Sequence, residues 1–248
     1  MVSALLFDVF GTVVDWRGGV IRDVAELARA RGAEVDAVDA AAFADAWRAD
    51  YGPSMDLVRR GELPWTKLDD LHRRTLDRLL AEFGLSGPTG LSGPSGPTGL
   101  TEDERDWLNT CWHRLDPWPD SVPGLRRLKE KFVIAAFSNG NVSLLVDMAR
   151  RAGLPWDFVF SAELFRHYKP DPECYRGAVE LLSLTPPEVM LVAAHNNDLQ
   201  AAAGQGLATA FVARPAERGP DQHRDQAPSG DYTYVPVDLE DLATTLGC

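Results

Sequence analysis

The chain has 248 residues, 45% hydrophobic and 25% charged, with a formal net charge of -12 at pH 7; this is globular composition, enough for one large domain or a core plus a smaller one. The acidic excess argues against nucleic acid or an anionic membrane as partner, no apolar run reaches the roughly 18 residues of a membrane span, and the start reads as lacking a secretory signal. Cys111, Cys174 and Cys248 are scattered and odd in number, which implies neither a disulfide framework nor a zinc site and makes reduced thiols and a cytoplasmic location the default.

The first predicted element is a buried strand, Ala4-Leu5-Leu6-Phe7, that climbs to Asp8 and stops at Gly11-Thr12. A carboxylate at the end of such a strand is costly unless paired. It suits the crevice at the carboxyl ends of an open α/β sheet, where it can act as a nucleophile; the plainer alternative is a turn or helix cap. From Asp15 to about Asp120 the pattern is helical: through Val20, Val24, Leu27 and Ala28 to Gly32, from Ala40 to Asp50, around Met55 to Arg60, and from Trp65 to Phe83. Tyr51-Gly52-Pro53-Ser54 reads as a break. Glycines recur every third residue from Gly87 to Gly99 within a Gly/Pro tract at 86–100, expected to be a loop, with an interaction tag as the alternative. Thr101 with Glu104 spells a capping box at the start of a helix running to Leu115.

Beyond Val122 helices and strands alternate. Helices are expected at Pro123–Lys131, Val142–Ala152, Pro172–Leu182 and Leu199–Ala203. Strands are expected at Phe132–Phe137, Phe158–Phe160, Val189–Ala194, Thr209–Ala213 and, more weakly, Tyr232–Val235, before a last helix. Right-handed crossovers then give a parallel sheet. The expected architecture is α/β: a Rossmann-like parallel sheet flanked by helices at 1–14 and 121–248, with an inserted all-helical domain at 15–120.

Asp8 and Thr12, Ser138 and Asn139, Lys169, and His195 and Asp198 all fall at or just past strand carboxyl ends. A parallel sheet opens these ends on one face, and that convergence weighs more than any single motif. Ser138-Asn139-Gly140 precedes a helix and suits an anion or a simple N-cap. Lys169, in Tyr168-Lys169-Pro170-Asp171, is either a solvated loop charge or the cation that holds Asp8 ionised. Asp198 can hold a metal, position a water or cap a helix.

In this order, the segments Phe7-Asp8-Val9-Phe10-Gly11-Thr12, Phe137-Ser138-Asn139-Gly140, Tyr168-Lys169-Pro170-Asp171 and that around Asp198 resemble the four motifs of the haloacid dehalogenase superfamily. The helical insertion resembles its cap domain. Phosphatases of that superfamily carry a second Asp two residues after the nucleophile as general acid; here the position is Phe10, which cannot donate a proton and makes the pocket apolar. In detail the chain resembles the type II (S)-2-haloacid dehalogenases. That resemblance implies attack by Asp8 on the Cα of a short haloacid, loss of halide, and hydrolysis of the ester to a 2-hydroxy acid, with no metal or other cofactor. It implies that Arg48 receives the halide, that Ser138 binds the substrate carboxylate and Asn139 lines the halide side, and that Thr12 bonds Asp8. It further implies that Lys169 neutralises Asp8 and the substrate, Tyr175 lines the pocket and Asp198 activates the water. It also allows a homodimer.

The family's motif four carries Ser and Asn where this chain has Ala193 and His195. His195 is expected as a substitute donor, as a base for the water, or as a structural histidine. The change points to a compact leaving group such as fluoride, or to a substrate other than a haloacid. The alternatives kept are a magnesium-dependent phosphatase or other hydrolase on the same scaffold, and a non-enzymatic binding protein.

Overall fold

The computed structural model describes residues 1–31, 39–83, 99–220 and 222–248; most of the Gly/Pro tract, and Gly32 at the expected end of the first helix, lie outside them. The chain divides into two compact units, Met1–Trp16 with Asp116–Cys248, and Arg17–Leu115. In chain order the elements are β1 (Ala4–Phe7), β2 (Val14–Asp15), α1 (Trp16–Ala30), α2 (Ala40–Ala49), α3 (Tyr51–Arg59), α4 (Leu68–Glu82), α5 (Glu102–Asn109), β3 (Asp116–Pro117), α6 (Ser121–Lys129), β4 (Val133–Ser138) and α7 (Val142–Ala152). They continue with β5 (Phe158–Ser161), α8 (Ala162–Phe165), α9 (Pro172–Leu181), β6 (Val189–Ala193), α10 (Asn196–Gly204), β7 (Ala208–Phe211) and α11 (Leu239–Thr245).

The first unit is an α/β layer structure. Its sheet has the order β5-β4-β1-β6-β7, and every pairing is parallel. β1 is central because all four of its residues are buried and apolar, as a strand covered on both faces requires. Phe7 lies opposite Ala136 on one side and Val192 on the other. Asp8, one residue on, is therefore level with the ends of β4 and β6, and Ser138 and the 194–198 segment emerge at the same edge. Leu6, Ala135, Phe137, Phe160, Tyr175 and Leu191 belong to the core on one side of the sheet. α7 stops where Gly153 takes a φ of +68°, in the left-handed region.

The second unit is helical. Phe43 and Trp47 of α2, Leu76, Leu79 and Leu80 of α4, and Leu108 and Trp112 are buried in it, at the apolar spacing that makes these segments amphipathic. Trp47 meets Trp112 edge-on at 5.6 Å, and the His72 ring stacks on Trp112 at 4.3 Å. Thr101 and Glu104 form the expected capping box.

Several local expectations are corrected. Tyr51-Gly52-Pro53-Ser54 is no break: α3 starts at Tyr51, and Pro53 sits in its first turn, where a missing N–H costs no hydrogen bond. The helix expected from Glu102 to Leu115 is α-helical only to Asn109 and tightens to a 3₁₀ turn at Thr110–His113. Tyr232–Val235 is not a strand; only a single bridge joins Tyr234 to Ala210. β2 and β3, an antiparallel ribbon of two residues each, and the short α8 were too brief to carry a periodic signal. α10 begins at Asn196, so Asp198 lies in its first turn.

Candidate active site

The loop after β1 is pinned at nearly every residue. Thr12 Oγ donates to Asp8 Oδ2 at 2.7 Å and accepts the Ala194 N–H at 2.9 Å. Arg214 donates to the Thr12 carbonyl at 2.9 Å while gripping Asp120 through both terminal nitrogens at 2.7 Å. Trp118 donates to the Gly11 carbonyl, and Ser121 to the Val13 carbonyl. Gly11 has a φ of +86°, which glycine adopts without steric penalty. Phe10 is buried in this loop.

Asp8, Lys169, Asp198 and Tyr175 form one buried chain of contacts. Lys169 Nζ lies 2.9 Å from Asp8 Oδ1 and 2.5 Å from Asp198 Oδ2; the Tyr175 hydroxyl donates to Asp198 Oδ1 at 2.5 Å. Burial works against ionisation of Asp8, but the Lys169 charge, His195 and Thr12 outweigh it and hold the carboxyl far below the ordinary carboxylate range. Burial likewise opposes the Lys169 charge, and the attraction of Asp198 and Asp8 overcomes it, so the ammonium is held charged above its ordinary value. For Tyr175, burial and the adjacent Asp198 push the phenol far up, so it remains a hydroxyl donor.

Asn139 serves the site indirectly. Its amide oxygen accepts the Lys169 N–H at 2.7 Å and its Nδ2 donates to the Lys169 carbonyl at 3.2 Å, so it fixes the Lys169 backbone. Ser138 is buried, its Oγ accepting the Gly140 N–H at 3.2 Å. The next helix start is partly taken, because the Val142 N–H donates to Glu163 at 2.9 Å.

His195 departs most from expectation. Its Nδ1 lies 2.9 Å from Asp8 Oδ2, and its Nε2 lies 3.1 Å from both oxygens of Glu217. Burial disfavours the imidazolium, yet Glu217 and the hydrogen bonds to Asp8 and Glu217 prevail and raise its pKa to about 10. A ring that is protonated and faces a carboxylate at each nitrogen has no lone pair to take a proton from water. Both ring nitrogens of His195 thus face carboxylates rather than a loop carbonyl, an arrangement that favours the imidazolium as a donor to Asp8.

Glu217 was not found from the sequence. It is 1% exposed, accepts the Trp16 indole N–H at 2.9 Å, and faces Gly11, where a Cβ would lie 2.4 Å from its Oε1. Its only sequence signal is an acidic residue in the loop after β7, past a strand carboxyl end.

Asp8, Thr12, Ser138, Asn139, Lys169, Tyr175, His195 and Asp198 thus gather at the carboxyl edge of the sheet. Arg48 lies in the last turn of α2, in the helical unit, with its guanidinium 4.0 Å from the centre of the Tyr51 ring. Among the described residues no group of three His, Cys, Asp or Glu side chains is disposed to hold a metal ion, and no helix is long and apolar enough to cross a membrane.

The sequence model of the haloacid dehalogenase-like hydrolases matches residues 2–206. A curated relative, the (S)-2-haloacid dehalogenase 4A of Burkholderia cepacia, is 28% identical over 218 residues, 86% of this chain and 84% of the relative. The crystal structure of an L-2-haloacid dehalogenase is 47% identical, with 99% of each chain covered and a TM-score of 0.91. That of a defluorinating L-2-haloacid dehalogenase is 49% identical, covering 100% of this chain and 96% of the other, also at a TM-score of 0.91. The chain belongs to the haloacid dehalogenase-like hydrolase family.

Proposed function

We propose that the protein hydrolyses short (S)-2-haloalkanoic acids to 2-hydroxy acids through an ester on Asp8. The observation that carries this reading is a buried Asp8 held ionised beside Lys169, with Phe10 where a phosphatase needs an acid. Relatives 47% and 49% identical that bear the name L-2-haloacid dehalogenase support it, and the defluorinating one favours including fluorinated acids.

In this reading Asp8 Oδ1 attacks Cα from the side opposite the halogen. The C–O bond forms as the carbon–halogen bond breaks, and halide leaves with the bonding pair. Oδ1 is assigned the attack because it faces Lys169, whereas Oδ2 already receives Thr12 and His195. Water then adds to Cγ and passes a proton to Asp198. Collapse breaks the Cγ–Oδ1 bond, and the released alkoxide recovers that proton as the hydroxy acid. The remaining carboxyl proton leaves to solvent. Lys169 balances Asp8 and the substrate carboxylate, which Ser138 also binds; Tyr175 holds Asp198. Resemblance assigns the departing halide to Arg48 and the role of cap to the helical unit. Halide needs no proton to leave, so this chemistry calls for no metal.

The test is halide release from (S)-2-chloropropionate, (S)-2-bromopropionate and fluoroacetate without magnesium. Release from any of them supports the reading. No release, with turnover of p-nitrophenyl phosphate once magnesium is added, replaces it with a phosphatase.

A further inference from the structure

Glu217 and His195 form a buried pair that no step above has used. We propose that His195 and Thr12 together make the oxyanion site for hydrolysis of the Asp8 ester, and that Glu217 is the positioning residue that keeps the His195 ring oriented and charged for that step. The inference rests on the reading of Asp8 as an esterified nucleophile and extends it to the second half-reaction.

The geometry assigns the roles. Once Oδ1 carries the substrate carbon, Oδ2 is the ester carbonyl oxygen, and negative charge develops on it when water adds to Cγ. Two donors already point at that atom: Thr12 Oγ at 2.7 Å and His195 Nδ1 at 2.9 Å. Both distances lie in the range that effective oxyanion donors hold, and pre-aligned donors in a dry site need no reorganisation as charge appears. A cationic donor stabilises the oxyanion more than a neutral amide does.

Glu217 is built for its part. It is nearly sealed from solvent, with both oxygens at 3.1 Å from His195 Nε2 and the Trp16 indole on Oε1. Gly11 leaves the space that its carboxylate fills. Among the described residues, Asp8 and Glu217 contact His195, Arg218 lies 3.8 Å from Glu217, Lys169 and Asp198 lie beyond Asp8, and Asp225 holds the neighbouring Asn196. Of these, Glu217 alone meets the face of the ring away from the nucleophile.

The step that depends on His195 is separable from halide loss. Rapid-quench kinetics on the whole protein measure first-turnover halide release and, by intact-mass analysis, the rise and decay of the ester on Asp8. For Glu217→Gln the expected result is halide release within about threefold of the parent, ester hydrolysis slowed by about tenfold or more at pH 9, and accumulation of ester. The deficit shrinks as the pH is lowered, because burial without Glu217 moves protonation of the imidazole to lower pH. In the parent the alkaline fall in hydrolysis lies at higher pH than in Glu217→Gln, because the Glu217 carboxylate holds the proton on the ring. His195→Asn, which donates but does not titrate, shows slower hydrolysis with no alkaline fall, and Glu217→Gln added to it changes hydrolysis no further. A Glu217→Gln protein that hydrolyses its ester at the parental rate with the parental pH profile overturns the proposal. So does a His195→Asn protein that keeps the alkaline fall. A parent that releases no halide overturns the dehalogenase reading itself, a result distinct from either.

Discussion

Replacing Gly11 by Ala tests how tightly the first loop and Glu217 are fitted. At Gly11 the backbone has a φ of +86°, and an added Cβ would lie 2.4 Å from Glu217 Oε1, 2.5 Å from its Cδ and 2.9 Å from its Cγ. The left-handed backbone alone costs about 1–2 kcal/mol for a residue with a Cβ. The clash is the larger part. Ordinary contact requires the carboxylate to retreat by about 1 Å, which stretches its 3.1 Å contacts to His195 past useful range. Losing charge-assisted bonds of that kind costs about 1.5–3 kcal/mol. Gly11→Ala should therefore destabilise the protein by about 3–5 kcal/mol in urea unfolding. In a Glu217→Ala background, where the clash is gone, the same change should cost only the backbone's about 1–2 kcal/mol. Equal costs in the two backgrounds, or a cost below about 1 kcal/mol in the parent, would refute the claim that Gly11 exists to admit Glu217.

Lys169→Met removes the ammonium shared by Asp8 and Asp198; it should lower stability at pH 7 by about 3–5 kcal/mol and abolish halide release, and a variant that keeps parental release would remove Lys169 from the mechanism. His72 gives a stability prediction in the helical unit. Its ring is buried, neither nitrogen has a hydrogen-bond partner among the described residues, and burial lowers its pKa from the ordinary 6.5 to about 3. The unfolded chain therefore takes up the proton first, so stability is full above pH 6.5 and is lost as pH falls toward 3. Between pH 7 and pH 5 this costs about 2 kcal/mol. His72→Phe should remove that loss and add about 1–2 kcal/mol at pH 7; urea midpoints for the two proteins that fall in parallel with acid would contradict it.

The sequence was most legible where one physical signal dominated. The apolar run of β1 ending in Asp8, the Gly153 stop after α7 and the Thr101–Glu104 cap each follow from local chemistry, and the structure has all three. The convergence of Asp8, Ser138, Lys169 and Asp198 also followed, because parallel strands bring their carboxyl ends to one edge. What escaped depends on contacts between residues distant in sequence. Glu217 reaches His195 across a loop, and no spacing in the chain records that Gly11 makes room for it. His195 was legible as a polar group near Asp8 but not in its pairing with two carboxylates on separate segments. That the Asn139 oxygen and Nδ2 hold the Lys169 backbone was not legible from its motif. Pro53 shows a smaller limit: a proline that reads as a break is equally at home in a helix's first turn.

The central claim is that Asp8 becomes covalently bound to the substrate. A single turnover in ¹⁸O-labelled water, with protein in excess over (S)-2-chloropropionate, tests it most directly. If Asp8 Oδ1 attacks, the hydroxy acid of the first turnover carries unlabelled oxygen from the protein, and the label enters the Asp8 carboxylate. Later turnovers then release labelled product. Labelled hydroxy acid in the first turnover, with Asp8 unlabelled, would mean that water attacks the substrate directly, and the account of this site would be wrong.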